Sequence, residues 1–290
     1  MFHVKQKDSF TDNSIEVFLE TKDFMVSGET FRIVKKPGKN YLETQPIPEI
    51  LDTYYESEAY LSHTDGKESL FEKAYQFVKQ ITLKQKVKSI GKPKLAKNKL
   101  LDFGAGTGDF LQVAKNNGWK VTGVEPNQHA RKLAVKKGLN LFSSLDKLEN
   151  KNFDVITLWH VLEHVPNLDH TLMQLQELLN PGGLIVIALP NYKSWDAKKY
   201  GKYWAAYDVP RHLWHFDREA MKNILPKSFQ QTKTKPMWFD AFYVCLLSEK
   251  YQTGKTNWFN GVFNGLRSNL KAILSKEYSS IVYYYHKNDI

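Results

Sequence analysis

The stretch "KLLDFGAGTGDF", residues 99–110, sets Asp102, Gly104, Gly106 and Gly108 at alternate positions directly after an apolar run. Glycines spaced in this way let a backbone approach a ligand closely and turn through positive φ. Two phosphate-binding solutions fail on this spacing. A P-loop needs a lysine that reaches the phosphates at the end of Gly-x4-Gly-Lys-Ser/Thr, and none is supplied here. The dinucleotide pattern Gly-x-Gly-x-x-Gly would put its third glycine at position 109, which is Asp109. The helix that begins beyond the loop still favours an anionic group. Glu125 closes the next apolar stretch, "WKVTGVE", where a carboxylate can accept both hydroxyls of a ribose. These features suit a nucleoside that carries a carboxylate and no phosphate. S-adenosylmethionine (SAM) is such a molecule.

A sulfonium donor brings its own leaving group, so a protein using it must align an acceptor and, for a hydroxyl, help remove a proton. Bases are therefore sought at the carboxyl ends of strands. His160, Glu163 and His164 in "WHVLEHV" stand at i, i+3 and i+4, which puts them on one face if that segment is helical. Farther on, residues 192–216 hold eight aromatics where the chain average of 13% gives about three, together with Asp208, Arg211, His212 and His215. An aromatic wall with a few ionisable groups suits either an acceptor pocket or a packed helical cap. His160 and His212 are the candidate bases. Tyr203, Tyr207, Asp208, Arg211 and His215 are the candidate acceptor contacts, and no metal ligand is assigned.

Elements must hold these groups in place. "KLLDF", "WKVTGVE", "LNLF", "FDVITLW" and "LIVIALP" read as strands, separated by helical segments in "GDFLQVAKNNG", "NQHARKLAVKKG" and "NLDHTLMQLQELLNPGG". Asn127 is a plausible N-cap and Gly138 a C-terminal stop, and the third helix should end at Pro181-Gly182-Gly183. Alternating units of this kind imply a parallel sheet covered by helices. "DREAMKNIL" reads as a helix, residues 239–275 as two helices around "QTGKTN", and "SSIVYYYHK" as a final strand. Before residue 100, "SIEVFLE" and "ETFRIVKK" suggest a small β unit, followed by a mostly helical stretch. The expected organisation is a β-rich unit over 1–50, a helical connector over 51–97 and a main domain over 98–290. That domain carries an aromatic lid at 191–216 and a helical insertion at 239–275.

The chain of 290 residues has a net charge of +10, and eight lysines with no acid lie within 79–99, so removing that stretch leaves +2. The excess is local and reads as a solvated connector, not a nucleic-acid or membrane-surface patch. The longest apolar run, "LIVIAL", is too short to span a bilayer and the N-terminus lacks an apolar leader. Cys245 is the only cysteine, which rules out an intrachain disulfide and a cysteine zinc cluster. A cytoplasmic protein is expected.

"DFGAGTGDF", "GVEPN", "FDVITLWHVLEHV" and "LNPGGLIVIALPN", in this order, resemble the class I SAM-dependent methyltransferases, and most of all the ubiquinone-methylase-like branch. The resemblance covers roughly residues 98–290. It implies a Rossmann-like, mostly parallel sheet of seven strands whose last strand is antiparallel. It places Asp102, Gly104, Ala105 and Gly106 around the methionine part of SAM, Glu125 and Pro126 at the ribose, Ser144 and Leu145 near adenine, and Trp159 and His160 near the sulfonium. Some quinone O-methyltransferases of this type hold a divalent metal with acids after the fourth strand, but this chain has His160 at the first of those positions. "YWAAYDVPRHLWHF" is similar to family members found with sugar or lipid-linked substrates. The N-terminal region is similar to bacterial members with a small zinc-binding unit followed by "YYESEAYLSH". This chain lacks the cysteine pairs of that unit, so a metal-free β remnant is expected. The function expected is methyl transfer to oxygen or carbon of a small-molecule acceptor. The alternatives are a nucleic-acid methyltransferase and a SAM-binding module without transfer.

Overall fold

The computed structural model describes residues 15–55, 70–94, 98–148 and 151–288. Part of the expected helical connector and most of "YYESEAYLSH" lie outside them. Four parallel strands make the centre of the main sheet: β4 (Lys99–Phe103), β5 (Lys120–Val124), β6 (Phe153–Trp159) and β7 (Leu179–Pro190). Two more strands, β9 (Phe229–Pro236) and β10 (Ser280–Lys287), extend it antiparallel beyond β7. The order is β5-β4-β6-β7-β10-β9. The expected seventh strand, "LNLF", is reduced to a single parallel bridge between Phe142 and Val124, so six strands are formed where seven were expected. Phe142 still exchanges backbone hydrogen bonds with Gly123 and Glu125, both at 2.9 Å, but the chain then bends at Ser143–Ser144 and enters a short turn of helix at Leu145.

Successive residues of the central strands alternate between two apolar layers, as the period of two in a pleated strand requires. Leu101, Ile156 and Ile185 face helix α4 (Leu168–Leu178), while Leu100, Val155 and Val186 face α1 (Leu70–Ser89), α2 (Asp109–Asn116) and α3 (Gln128–Lys136). Asn127 caps α3 by accepting from the Ala130 amide at 3.0 Å. β7 begins already at Leu179, so the Pro-Gly-Gly turn expected after α4 lies within an irregular strand, where the β6–β7 register shifts.

A second sheet is built from β1 (Glu16–Lys22), β2 (Thr30–Lys35) and β3 (Leu42–Gln45), and its fourth strand is β8 (Trp214–His215) from the aromatic segment. The N-terminal β unit is therefore closed by residues far along the chain. Phe31, Ile33 and Leu42 share one core with Tyr200, Trp204 and Tyr207, beneath α5 (Trp195–Tyr200) and α7 (Asp240–Thr253). The remaining helices are one short, α6 (Arg218–Lys222), and one long, α8 (Trp258–Ser275). Among the described residues no helix is long and apolar enough to cross a membrane.

Inside this frame Asp102 is buried on β4, where its Oδ1 accepts from the Thr157 hydroxyl at 2.7 Å. Burial pushes its carboxyl up to about 7, against the opposing effects of Thr157 and Lys86. A carboxyl raised in the folded state costs stability as pH climbs from the unfolded pKa near 4 to the folded one near 7. We therefore expect Asp102→Asn, which keeps an acceptor for Thr157, to raise the melting temperature at pH 8 by several degrees and to change it little at pH 5. Thermal unfolding across that range checks the sign. A loss of stability at pH 8 as large as at pH 5 would show that the buried charge is not the issue.

Candidate active site

The glycine loop leaves β4 at Phe103 and enters α2 at Asp109. Gly104, Gly106 and Gly108 all have positive φ, at 76°, 53° and 80°. A Cβ on Gly104 would come within 2.3 Å of the Val161 side chain, whereas one on Gly106 would meet nothing within 4 Å. The loop thus lies against the residue that follows His160 on one side and stays open at Gly106. The amides of Gly104 and Ala105 both donate to the Val124 carbonyl, at 2.8 and 2.9 Å. Glu125 follows at the end of β5. Its two oxygens accept from the Gly106 amide at 2.9 Å and the Asn127 amide at 2.8 Å. The carboxylate is thereby fixed against the loop with lone pairs left for further donors.

Other sequence-assigned cofactor residues gather at the same edge of the sheet. Pro126 is exposed beside Glu125. Ser144 is half-buried and Leu145 buried, at the start of a short turn of helix over Leu145–Leu148. Trp159, the last residue of β6, is half-buried, with its Nε1 enclosed and lacking a partner. Its ring meets Phe110 edge-on at 5.5 Å and carries the Lys86 ammonium at 4.6 Å. Lys86 belongs to the lysine stretch read above as a solvated connector. Its burial lowers its pKa, partly offset by Asp240 and Asp102. Lys79 of the same stretch pairs with Asp109 in the first turn of α2 at 2.7 Å. The stretch is thus partly built into the site, and its solvated reading is corrected for these two residues.

His160, Glu163 and His164 do not share a helical face. Only Leu162–His164 form a short 3-10 turn, and His160 precedes it with φ of 59°, a conformation that non-glycine residues adopt mostly where surrounding structure enforces it. Its ring is held between two carboxylates. Nε2 meets Asp240 Oδ2 at 2.9 Å and Nδ1 meets Glu163 Oε1 at 3.3 Å. Burial alone would lower the His160 pKa, but hydrogen bonds to Asp240 and Glu163 outweigh it and raise it to about 9. Asp240 was not singled out in the sequence, because it opens α7, eighty residues on, without a local motif.

His212 lies elsewhere, in a buried cluster with His164, their rings edge-to-face at 4.5 Å. His212 Nδ1 faces the Ala206 carbonyl at 2.9 Å, and His164 Nδ1 the Arg211 carbonyl at 3.0 Å. Burial, then His212, lowers the His164 pKa to about 4. Glu163 Oε2 is buried and unpartnered. Ligand-type atoms of Glu163, His164 and His212 lie within 4.8 Å of one another. Among the described residues, these three could hold a divalent cation, although no metal ligand was assigned from the sequence.

The expected acceptor contacts are mostly enclosed. Tyr207 and His215 are buried, and His215 Nε2 meets the Thr44 hydroxyl of β3 at 2.8 Å. Tyr203 is half-buried against Phe24, with ring centroids 5.4 Å apart. Arg211 is 1% exposed, and its guanidinium is shared between Asp208 at 2.6 Å and Asp23 at 2.9 Å, with the Tyr54 carbonyl at 3.2 Å. Burial would raise the Asp208 carboxyl, but Arg211 holds it below the usual range. Sequence reasoning had no signal for Asp23 or Thr44, which come from the opposite end of the chain.

This geometry agrees with what the chain is similar to. A family model described as a methyltransferase domain matches residues 74–228, and the chain belongs to that family. The ubiquinone biosynthesis O-methyltransferase of Yersinia pestis (strain Pestoides F) is 31% identical over 140 residues, covering 44% of this chain. The chain spans only 56% of that relative's length. Among solved structures, the magnesium protoporphyrin IX methyltransferase of Synechocystis PCC 6803, with bound SAM, superposes with a TM-score of 0.50 at 14% identity, over 81% of this chain and 94% of that one. The cyclopropane synthase MmaA2 of Mycobacterium tuberculosis gives 0.50 at 12% identity, over 81% and 88%. These two likenesses show the fold. Fold and cofactor class are those of the SAM-dependent methyltransferases.

Removing Arg211 would leave two carboxylates buried without their counter-ion. Breaking a buried pair in this way costs about 3–5 kcal/mol. Arg211→Ala should therefore lower the melting temperature sharply, and Asp23→Asn should lower it less. A variant that melts like the wild type would remove the clasp from the account of stability.

Proposed function

We propose that this protein transfers the methyl group of SAM to an oxygen of a small-molecule acceptor at the carboxyl edge of β4–β6. The observation that carries this reading is the His160 ring pinned between Asp240 and Glu163, one residue from the side chain that meets the glycine loop. In this reading Gly104, Ala105 and Gly106 line the methionine part of SAM, with Asp102 supporting them from below. Glu125 and Pro126 flank the ribose. Ser144 and Leu145 border the adenine, and Trp159 lies beside the sulfonium. The O-methyltransferase relative supports oxygen over carbon.

In the reaction the acceptor oxygen forms a bond to the methyl carbon as the carbon–sulfur bond breaks, and the electron pair returns to sulfur as a neutral thioether. The acceptor proton must leave. His160 would receive it at Nδ1, whose contact with Glu163 is the longer at 3.3 Å, while Asp240, as the positioning residue, holds Nε2 at 2.9 Å. At rest the two carboxylates favour the imidazolium. With SAM bound, its sulfonium would supply the leaving group, and the His160 ring, beside a second positive charge, would have its pKa lowered toward the neutral form that can take a proton. His212, with Nδ1 on a backbone carbonyl and its ring against His164, supports this arrangement by packing behind Glu163.

Two variants test the reading. Glu125→Ala removes a charged acceptor worth roughly 1.5–3 kcal/mol and should weaken SAM binding by about tenfold or more in calorimetry. His160→Ala should lower turnover by about 10²–10⁴-fold while SAM affinity stays within a few-fold. SAM affinity untouched by the first change, or full turnover after the second, would refute the corresponding assignment.

A further inference from the structure

α8 is built inside out. Its buried positions are Gly261, Asn264, Gly265, Ser268, Asn269 and Ala272. The opposite face carries Phe259, Phe263, Leu266, Leu270, Ile273 and Leu274, all exposed, with Phe259 at 80% and Leu274 at 89%. These positions recur every three or four residues, which makes one continuous stripe on a helix. An amphipathic helix of a soluble surface turns its apolar stripe inward. The inner face here is already committed. A Cβ on Gly265 would come within 2.8 Å of the Phe242 backbone on α7. Asn264 donates to Glu249 and to the Tyr200 hydroxyl, both at 3.1 Å, and Ser268 donates to Asp196 at 2.7 Å. The helix cannot rotate its stripe inward without breaking these bonds and driving side chains into α7. The outward stripe is therefore fixed by the fold.

Charge says what covers it. From Lys250 to Lys276 the chain holds five basic residues and no acid, with Arg267 and Lys271 on α8 and Lys255 and Lys276 just beyond its ends. A second copy of a chain with net charge +10 would bring like charges together along this rim. An anionic surface with an apolar interior complements both features. We propose that α8 docks this protein onto an anionic lipid bilayer, lying in the interface plane with its aromatic and aliphatic stripe among the acyl chains and its basic rim at the headgroups. Eighteen residues of helix give a contact about 27 Å long. The inference is independent of the methyl-transfer reading, since it uses none of the site residues.

The test is co-sedimentation of the full chain with vesicles of phosphatidylcholine alone and of phosphatidylcholine mixed with phosphatidylglycerol, at low and at moderate salt. Melting temperature and SAM affinity are measured on each variant as checks of folding. The wild type should bind the anionic vesicles, and less so at higher salt. The triple variant Phe259→Ser, Phe263→Ser, Leu274→Ser should bind about a hundredfold more weakly. The pair Lys271→Glu, Lys276→Glu should lose the preference for phosphatidylglycerol. All three substituted apolar side chains project outward, so the fold should persist. Three results would overturn the proposal: no binding to anionic vesicles, binding unchanged in a folded triple variant, or a dimer in sedimentation that the triple variant abolishes.

Discussion

Arg211 places a full charge where almost no water reaches, and much of the molecule is arranged around meeting that demand. Its guanidinium draws Asp208 from its own segment and Asp23 from the N-terminal β unit. A further donor goes to the Tyr54 carbonyl. Its own carbonyl faces His164 Nδ1. From there the contacts run on through the His164–His212 pair to Glu163, then to His160 and Asp240. One buried cation thus couples the small β sheet, the aromatic segment and the carboxyl edge of the main sheet. The aromatic residues around it exclude water, which is what makes a buried ion pair both strong and intolerant of losing a partner.

The glycine loop obeys a different constraint. Its shape comes from steric room rather than charge. Gly104 is needed because Val161 occupies the space that any Cβ would fill, and Gly106 leaves its side open. Glu125 then holds the loop from the end of the neighbouring strand β5. The two halves of the site therefore rest on different physics. The glycine loop with Glu125 is local, formed by a strand end, a turn and the next strand end. The end around His160 is long-range, with His160 and Asp240 meeting across eighty residues.

The lysine stretch shows how composition misleads when geometry is absent. Counted as charge, residues 79–99 are a uniform basic run. Folded, they are not uniform. Lys79 answers the acid in the first turn of α2, and Lys86 lies over Trp159. A lysine stem is apolar enough to be buried on a helix face while its ammonium finds a ring or a carboxylate. That distinction depends on which face of α1 meets α2, and no count of charges contains it.

The sequence by itself determined the parts governed by short-range rules. Alternating apolar runs and caps such as Asn127 made the α/β core legible, and the spacing of Asp102, Gly104 and Gly106 made the positive-φ turn after β4 legible, because each depends on residues close together in the chain. The final strand and the paired helices of 239–275 were legible for the same reason. The tertiary structure decided the rest. It reduced "LNLF" to a bridge, turned His160 out of the helical face expected for it, and gave it Asp240 as partner. It took Arg211, Tyr207 and His215 into a core shared with the N-terminal sheet, and it set the apolar stripe of α8 outward. These outcomes rest on contacts between segments tens to nearly two hundred residues apart, as between Asp23 and Arg211. Periodicity and spacing fix which face of an element is apolar, whereas only packing decides what that face meets.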